Sequence, residues 1–352
     1  MKVVWYGPWF GTLDSRYCEI LERGGWEMKL VTTGRHLDSG FQTFRNTSII
    51  PASSTKYQKL RALRETVKQI ADHNPDLVLL DMPTTLGDIL VGLIVSLRRR
   101  TILLIHDAIP HDLAHEARPL IQILQRLLTA SSRALLTFSE TSMSQLLKLH
   151  PKKQVFSTFL LPSAAISELA HTAAHKKDFA MVGRWSSYKG FDIGLKFWEK
   201  FQKINMCEDN LDLWCSGLTA KIPVPQGVTW MSFQQFDWND LLSALPQYKA
   251  VLLPYRSASQ SDVQMLAWAS GTVCIVSATG GLVEYQPSAL EPIDIDDDAS
   301  WHSALLRLSE PQEAELLGAD GRTETARFRD EGAIFEHFHN LWINTGRKRK
   351  RM

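Results

Sequence analysis

Apolar and polar positions along this chain fall into blocks that switch between strand and helix patterning. Compact apolar runs stand at Lys2 to Tyr6, Glu27 to Thr32, Leu77 to Leu80, Thr101 to Ile105 and Ala134 to Phe138. Between them, apolar residues return at the spacing of one helical face. Such stretches run from about Asp14 to Arg23, from Lys56 to Asn74 with Leu60, Leu63, Val67 and Ile70 in line, from Thr85 to Leu97, and from Leu120 to Ser131. Ser139 to His150 reads as a capped helix with Met143, Leu146 and Leu147 on its apolar face. Strands alternating with helices in this way predict a parallel sheet covered on both faces, with Ala134 to Phe138 as its last strand.

The pattern breaks at Pro162 to Lys177, PSAAISELAHTAAHKK, which is small, polar and unpatterned as a linker is. It restarts with a strand at Phe179 to Val182 and a helix on which Ile193, Phe197 and Phe201 repeat, followed by strands at Leu211 to Cys215 and Val228 to Phe233. Val251 to Leu253 is an apolar run stopped by Pro254. The polar loop RSASQS follows, then a helix with Val263, Leu266, Ala267 and Ser270 on one face, N-capped by Ser259 or Ser261 and ended by Gly271. Thr272 to Val276 then leads into Gly280 and Gly281, so strand, loop, helix and strand make a βαβ unit. From Trp301 the chain reads as helical. Its last helix, Glu331 to Asn344, carries Ile334, Phe335, Phe338, Leu341 and Trp342 on one face.

A chain of 352 residues exceeds the size at which one core keeps growing, so two domains are expected. The boundaries fall at 1–164, a linker at 165–177, 178–328, a terminal helix at 329–345 that packs back across the domain interface, and a basic tail at 346–352. A formal net charge of +1 argues against a nucleic-acid partner. The five cations Arg347 to Arg351 read either as a solvated tail or as an anchor to anionic lipid, and Arg98, Arg99, Arg100, Arg126 and Arg133 as solvated helix ends or contacts to lipid phosphates. Cys18, Cys207, Cys215 and Cys274 show no metal spacing and read as reduced thiols of a cytoplasmic protein. MKVVWYGPWF is broken too early by Gly7 and Pro8 for a signal peptide, and Leu86 to Leu97 contains Asp88 and is shorter than the ~20 residues a bilayer span needs. Any membrane contact is therefore expected to be peripheral, at the inner face.

Candidate chemistry gathers at the predicted strand ends. Arg184 and Lys189 flank the loop GRWSSYKGFD before a helix start, a plausible geometry for clamping a diphosphate. The helix opening at Ser261 offers unpaired amides and a partial positive charge to an anion. His106, Asp107 and His111 in HDAIPH suit metal ligation, acid/base work or hydrogen bonding to a sugar, without a recognised zinc spacing. Gly7 and Gly11 let backbone approach a ligand. No GxGxxG opens a helix, which disfavours a nicotinamide or flavin enzyme. Asp294 to Asp298 reads as a solvated loop, and Trp230, Phe233, Phe236 and Trp238 either as stacking surfaces for a base or sugar or, as aromatics at this density usually are, as core.

PYRSASQSDV together with GGLVE at 280 to 284, GR…KG at 183 to 190 and HDAIPH at 106 to 111 resembles the retaining GT-B glycosyltransferases of family 4, of the exopolysaccharide and lipopolysaccharide type. The resemblance implies an α/β GT-B fold, two Rossmann-like domains facing a cleft, with the acceptor bound by the first and a nucleotide sugar by the second. It implies metal-independent transfer with retention to a polysaccharide or lipid-linked hydroxyl, with His106, Arg184 and Lys189 as catalytic residues. Donor contacts carried over are Arg184, Lys189, Gly217, Phe233, Ser259, Gln260, Ser261, Gly280, Gly281 and Glu284; acceptor contacts are Gly11 and His111. The sequence departs from the family where two glutamates usually stand, at Ala258 and Leu266, and at Asp262, usually glycine. An inactive sugar-nucleotide-binding protein or partner subunit is the alternative, and an epimerase of the same fold a third class.

Overall fold

The computed structural model describes residues 1–9, 11–33, 44–51, 55–109, 119–162, 176–205 and 208–346. His111, Cys207, most of the expected linker and the basic tail lie outside them. The chain divides into two units, one formed by Met1–Phe159 with Asp330–Met352 and the other by Leu160–Arg329.

Unit 1 alternates β1 (Lys2–Gly7), α1 (Gly11–Arg23), β2 (Glu27–Thr33), β3 (Thr47–Ile50), α2 (Lys56–Asp72), β4 (Leu77–Asp81), α3 (Leu86–Arg98), β5 (Thr101–Leu104), α4 (Pro119–Ser131), β6 (Ala134–Thr137), α5 (Glu140–Leu149) and β7 (Gln154–Ser157). The strands form one parallel sheet in the order β3-β2-β1-β4-β5-β6-β7. β6 is therefore not the last strand. β7 is a half-buried edge, and its QVFS is too short to carry a periodicity. Alternation along β1 sends Val4 and Tyr6 to one face, where they meet Ile70, Val91, Val95 and Leu128 from α2, α3 and α4. Gly92 makes that layer tight, since a Cβ there would stand 2.8 Å from Leu80 and 3.0 Å from Leu128.

Unit 2 runs β8 (Lys177–Arg184), α6 (Phe191–Asn205), β9 (Leu211–Ser216), β10 (Val228–Ser232), α7 (Trp238–Ala244), β11 (Tyr248–Leu253), α8 (Asp262–Ala269), β12 (Val273–Val276), α9 (Gly281–Glu284), α10 (Asp298–Ser309) and α11 (Pro311–Glu324). Its parallel sheet has the order β10-β9-β8-β11-β12. Chain direction across the sheet reverses at β8, the switch point beside which α/β sheets take ligands. Trp198, Phe201, Trp268 and Trp301 fill the core, with Trp301 stacked on Phe197 at 4.8 Å. Buried Lys249 pairs with half-buried Asp209 at 2.6 and 2.8 Å. The acidic run at 294–298 is a helix start: Asp297 caps α10 by accepting from the Ser300 amide at 3.1 Å, which begins that helix three residues before Trp301.

The terminal helix α12 (Glu331–Gly346) belongs to unit 1. Phe338 lies 5.9 Å from Trp5 and 5.7 Å from Tyr17, which themselves stack at 5.3 Å. Arg100 sits 4.3 Å over Trp342 and Arg133 donates to the Thr345 carbonyl at 3.0 Å, so both arginines hold the end of this helix. Among the described residues, Cys18, Cys215 and Cys274 are buried free thiols, and no helix is long and apolar enough to cross a membrane.

Candidate functional site

At the exit of β8, Gly183 has φ +136°, and a Cβ there would lie 2.7 Å from Lys189 Nζ, so the glycine lets the lysine cross the strand end. Gly190, with φ +62°, opens α6, and a Cβ on it would strike the Pro254 carbonyl oxygen at 1.9 Å. The β8–α6 corner is thereby pressed against the exit of β11. Lys189 Nζ donates to the Tyr255 hydroxyl at 2.8 Å and stands 4.7 Å over that ring. Burial disfavours the Lys189 charge and Arg184 repels it, but Tyr255 and Tyr188 outweigh both and hold its pKa above the ordinary lysine value. The Tyr255 oxygen lies 3.5 Å from Ser261 Oγ, and Ser261 caps α8. A polar chain Lys189–Tyr255–Ser261 thus connects the cationic corner to a helix start.

Two more loops complete this edge. Arg184 lies along Gly217, where a Cβ would meet its Cγ at 3.3 Å, and next to Gly217 the Leu218 amide donates to the Phe233 carbonyl at 3.0 Å. Gly280, with φ +50°, and Gly281 touch the 258–260 loop by backbone alone: a Cβ on Gly280 would fall 1.8 Å from the Ala258 oxygen, and one on Gly281 1.9 Å from that of Ser259. The Gly281 amide donates to Ala258 at 3.1 Å. Ser259 and Ser261 are buried, Gln260 and Glu284 half-buried. The structure therefore brings together Arg184, Lys189, Gly217, Phe233, Ser259, Gln260, Ser261, Gly280, Gly281 and Glu284 at one sheet edge of unit 2.

Four residues of this edge escaped the sequence reasoning. Tyr255 is one. Arg256 forms a two-pronged pair with Asp192 at 2.9 and 2.7 Å, donates to the Ser187 carbonyl at 2.6 Å, and sends its amide to the Tyr188 carbonyl at 2.7 Å, which locks the turn bearing Lys189. This pairing lowers the Asp192 pKa. Fully buried Gln264 donates to the Leu282 carbonyl at 2.9 Å and to Gln286 at 3.1 Å, bracing α8 against α9. The one available signal was the position of Tyr255 and Arg256 directly behind the apolar run of β11.

Unit 1 carries its own polar cluster at the carboxyl ends of β1, β4 and β5. His106 Nε2 stands 2.8 Å from Asp81 Oδ1, beside Phe138 at 5.0 Å between ring centroids. Burial disfavours the imidazolium, but the Asp81 carboxylate prevails and raises the His106 pKa. Asp14, in the first turn of α1, packs its Oδ2 against Gly7 so closely that a Cβ there would lie 1.7 Å away. Among the described residues, Asp14 Oδ2 and Asp81 Oδ2 are buried without a hydrogen-bond partner. Burial and the Asp81 charge push the Asp14 carboxyl well above the usual carboxylate range, with the Trp5 indole opposing. Gly11 is the buried first residue of α1. Among the described residues no group of three or more His, Cys, Asp or Glu side chains is placed to hold a metal ion.

No protein-family model matches this sequence, and no curated protein sequence matches it. Solved structures share its fold over almost its whole length. The sucrose-phosphate synthase of Thermosynechococcus elongatus superposes with a TM-score of 0.71 at 14% identity, covering 98% of each chain. HepE of Anabaena, solved in complex with UDP and glucose, gives 0.68 at 13% identity over 98% of this chain and all of its own. A putative UDP-N-acetylglucosamine 2-epimerase from Listeria monocytogenes gives 0.63 at 14% identity over 100% and 99%. What the chain shares with them is its architecture, two parallel α/β units of the GT-B class.

Proposed function

We propose that the protein is a glycosyltransferase that moves a sugar from a nucleotide-diphosphate sugar to a hydroxyl, on a polysaccharide or lipid-linked glycan, with retention and without a metal. The observation that carries this reading is the Lys189–Tyr255–Ser261 chain, which sets a fixed cation and a helix start at one sheet edge with Arg184 alongside. A departing diphosphate held there meets two positive side chains and the amides of α8, which stabilise charge as it develops. The bond from the anomeric carbon to the phosphate oxygen breaks, the acceptor oxygen bonds to that carbon, and the acceptor proton passes to the leaving phosphate. Gly217 and Phe233 border the base; Gly280, Gly281 and Glu284 face the sugar and ribose. His106, oriented by Asp81, meets the donor sugar, and Gly11 and His111 the acceptor. UDP sugars are the first donors to test, because HepE was solved with UDP and glucose. The basic tail contacts the cytoplasmic face of an anionic membrane.

A second reading has its own support. Leu266 is fully buried in the core and Ala258 is nearly so, so neither position offers a carboxylate, and Asp262 occupies the first turn of α8. A protein that binds nucleotide sugars without turnover has this construction. A panel of nucleotide sugars is screened for thermal stabilisation, then the best one for donor hydrolysis and transfer. Stabilisation with turnover supports the transferase, stabilisation without turnover supports the binder, and no stabilisation by any member refutes both.

A further inference from the structure

The outer surface of unit 1 carries more exposed aliphatic area than its core needs. α3 packs between α2 and α4 over one sheet face, burying Val91, Val95 and Leu128. Their opposite faces are also apolar. On α3, Leu86, Leu90 and Leu97 point to solvent, Leu97 with 80% of its surface exposed; on α4, so do Leu120, Ile123 and Leu127, Leu120 at 58%. Each set recurs at helical spacing, which makes two parallel aliphatic stripes on neighbouring helices. A contiguous apolar patch of this kind marks a docking surface.

The charges around the stripes select the occupant. α2, flanking α3, exposes Lys56, Lys59, Arg61, Arg64 and Lys68; its acids are Glu65, which accepts from Gln69 at 2.7 Å, and Asp72. α4 exposes Arg126 and has no acid. Two such cationic faces repel each other, which disfavours a second copy. The α3 and α4 stripes are leucine and isoleucine without the aromatic anchors typical of protein hot spots, and the exposed aromatic of this face, Tyr57 at 77%, stands on α2 beside Lys56 and Lys59, where a membrane-interface tyrosine would sit. A planar anionic surface with an apolar layer beneath it matches both the charge and the stripes.

We propose that the α2–α3–α4 face of unit 1 docks on an anionic phospholipid bilayer, with the α3 and α4 stripes at the acyl boundary and the α2 cations among the headgroups. This contact is separate from the basic tail and stands independently of the transferase reading, because no candidate donor residue lies on these helices.

The test uses the full chain and co-sedimentation with vesicles of phosphatidylglycerol and phosphatidylcholine, against phosphatidylcholine alone. The wild type partitions to the anionic vesicles. Leu90→Glu with Leu127→Glu, both at solvent-exposed positions, lowers partitioning about tenfold or more with unchanged circular dichroism and melting temperature. A chain ending at Gly346 loses much less. Four outcomes overturn the proposal: no binding by the wild type; equal binding to both vesicles; loss on tail removal but not in the double variant; or a wild-type dimer that the double variant splits while vesicles stay unbound. If the double variant fails to fold, Lys59→Glu with Lys68→Glu serves in its place and must also lower partitioning. Nucleotide-sugar stabilisation, measured on the same variants, stays at the wild-type level, so failure here is distinguishable from failure of the donor site.

Discussion

Replacing Tyr255 by phenylalanine deletes one oxygen from the donor edge and leaves the ring and its 4.7 Å contact with Lys189 in place. That oxygen is nearly inaccessible, accepts from Lys189 Nζ at 2.8 Å and faces Ser261 Oγ at 3.5 Å. A hydrogen bond to a charged group contributes about 1.5–3 kcal/mol, and because Lys189 is partly exposed the low end applies, about 1–2 kcal/mol. Without it the ammonium is no longer held at the start of α8, so affinity for the nucleoside diphosphate falls about five- to thirtyfold. Isothermal titration with the diphosphate that best stabilises the wild type measures this, next to Lys189→Met and the double variant. Because both changes act through one contact, the double-mutant cycle is expected to be non-additive. Affinity of Tyr255→Phe within about twofold of wild type, or a strictly additive cycle, refutes the idea that this polar chain positions the cation.

Gly281→Ala sets a Cβ 1.9 Å from the Ser259 carbonyl and pushes the two donor loops apart, so it lowers stability by about 1–3 kcal/mol and diminishes diphosphate binding, read by thermal shift with and without ligand. Asp209→Ala leaves the buried Lys249 ammonium unpaired and costs about 3–5 kcal/mol in denaturant unfolding; adding Lys249→Met recovers most of it. Asp14 has a raised folded-state pKa, so its cost to the fold grows as pH rises above its ordinary value of about 3.9; Asp14→Asn therefore raises the melting temperature at neutral pH, with a gain that vanishes in acid. His106, raised by Asp81, contributes stability that is complete below about pH 6.5 and is lost as pH climbs through its folded-state pKa; Asp81→Asn flattens the melting-temperature profile in that window.

The elements that carry long-range function were legible where local rules sufficed. Pro254, Gly271, Gly280 and Gly281 punctuate unit 2 so sharply that its βαβ loops could be placed from residues alone, and Ser261 emerged as the cap of α8, one of the two serines proposed. What stayed hidden depends on register between distant segments. Tyr255 matters because Gly190 forces the β8–α6 corner against Pro254, a contact across more than sixty positions that no local pattern encodes. Asp14 and His106 both face Asp81 because β1, β4 and β5 are neighbours in the sheet, an order the alternation of elements leaves open. β7 went unread since an edge of four half-buried residues has no period to detect.

Because α12 follows unit 2 in the chain yet covers Trp5 and Tyr17 of unit 1, the first unit cannot finish until all of Leu160–Arg329 has been made. Those rings lack their Phe338 cover on the nascent chain until that residue leaves the ribosome, on the order of ten seconds or more after Phe159 at ordinary elongation rates. By then Leu160–Arg329 has emerged whole, so the second lobe is free to mature ahead of the first, and a chaperone that shields aromatic surface has its natural client in the amino-terminal half.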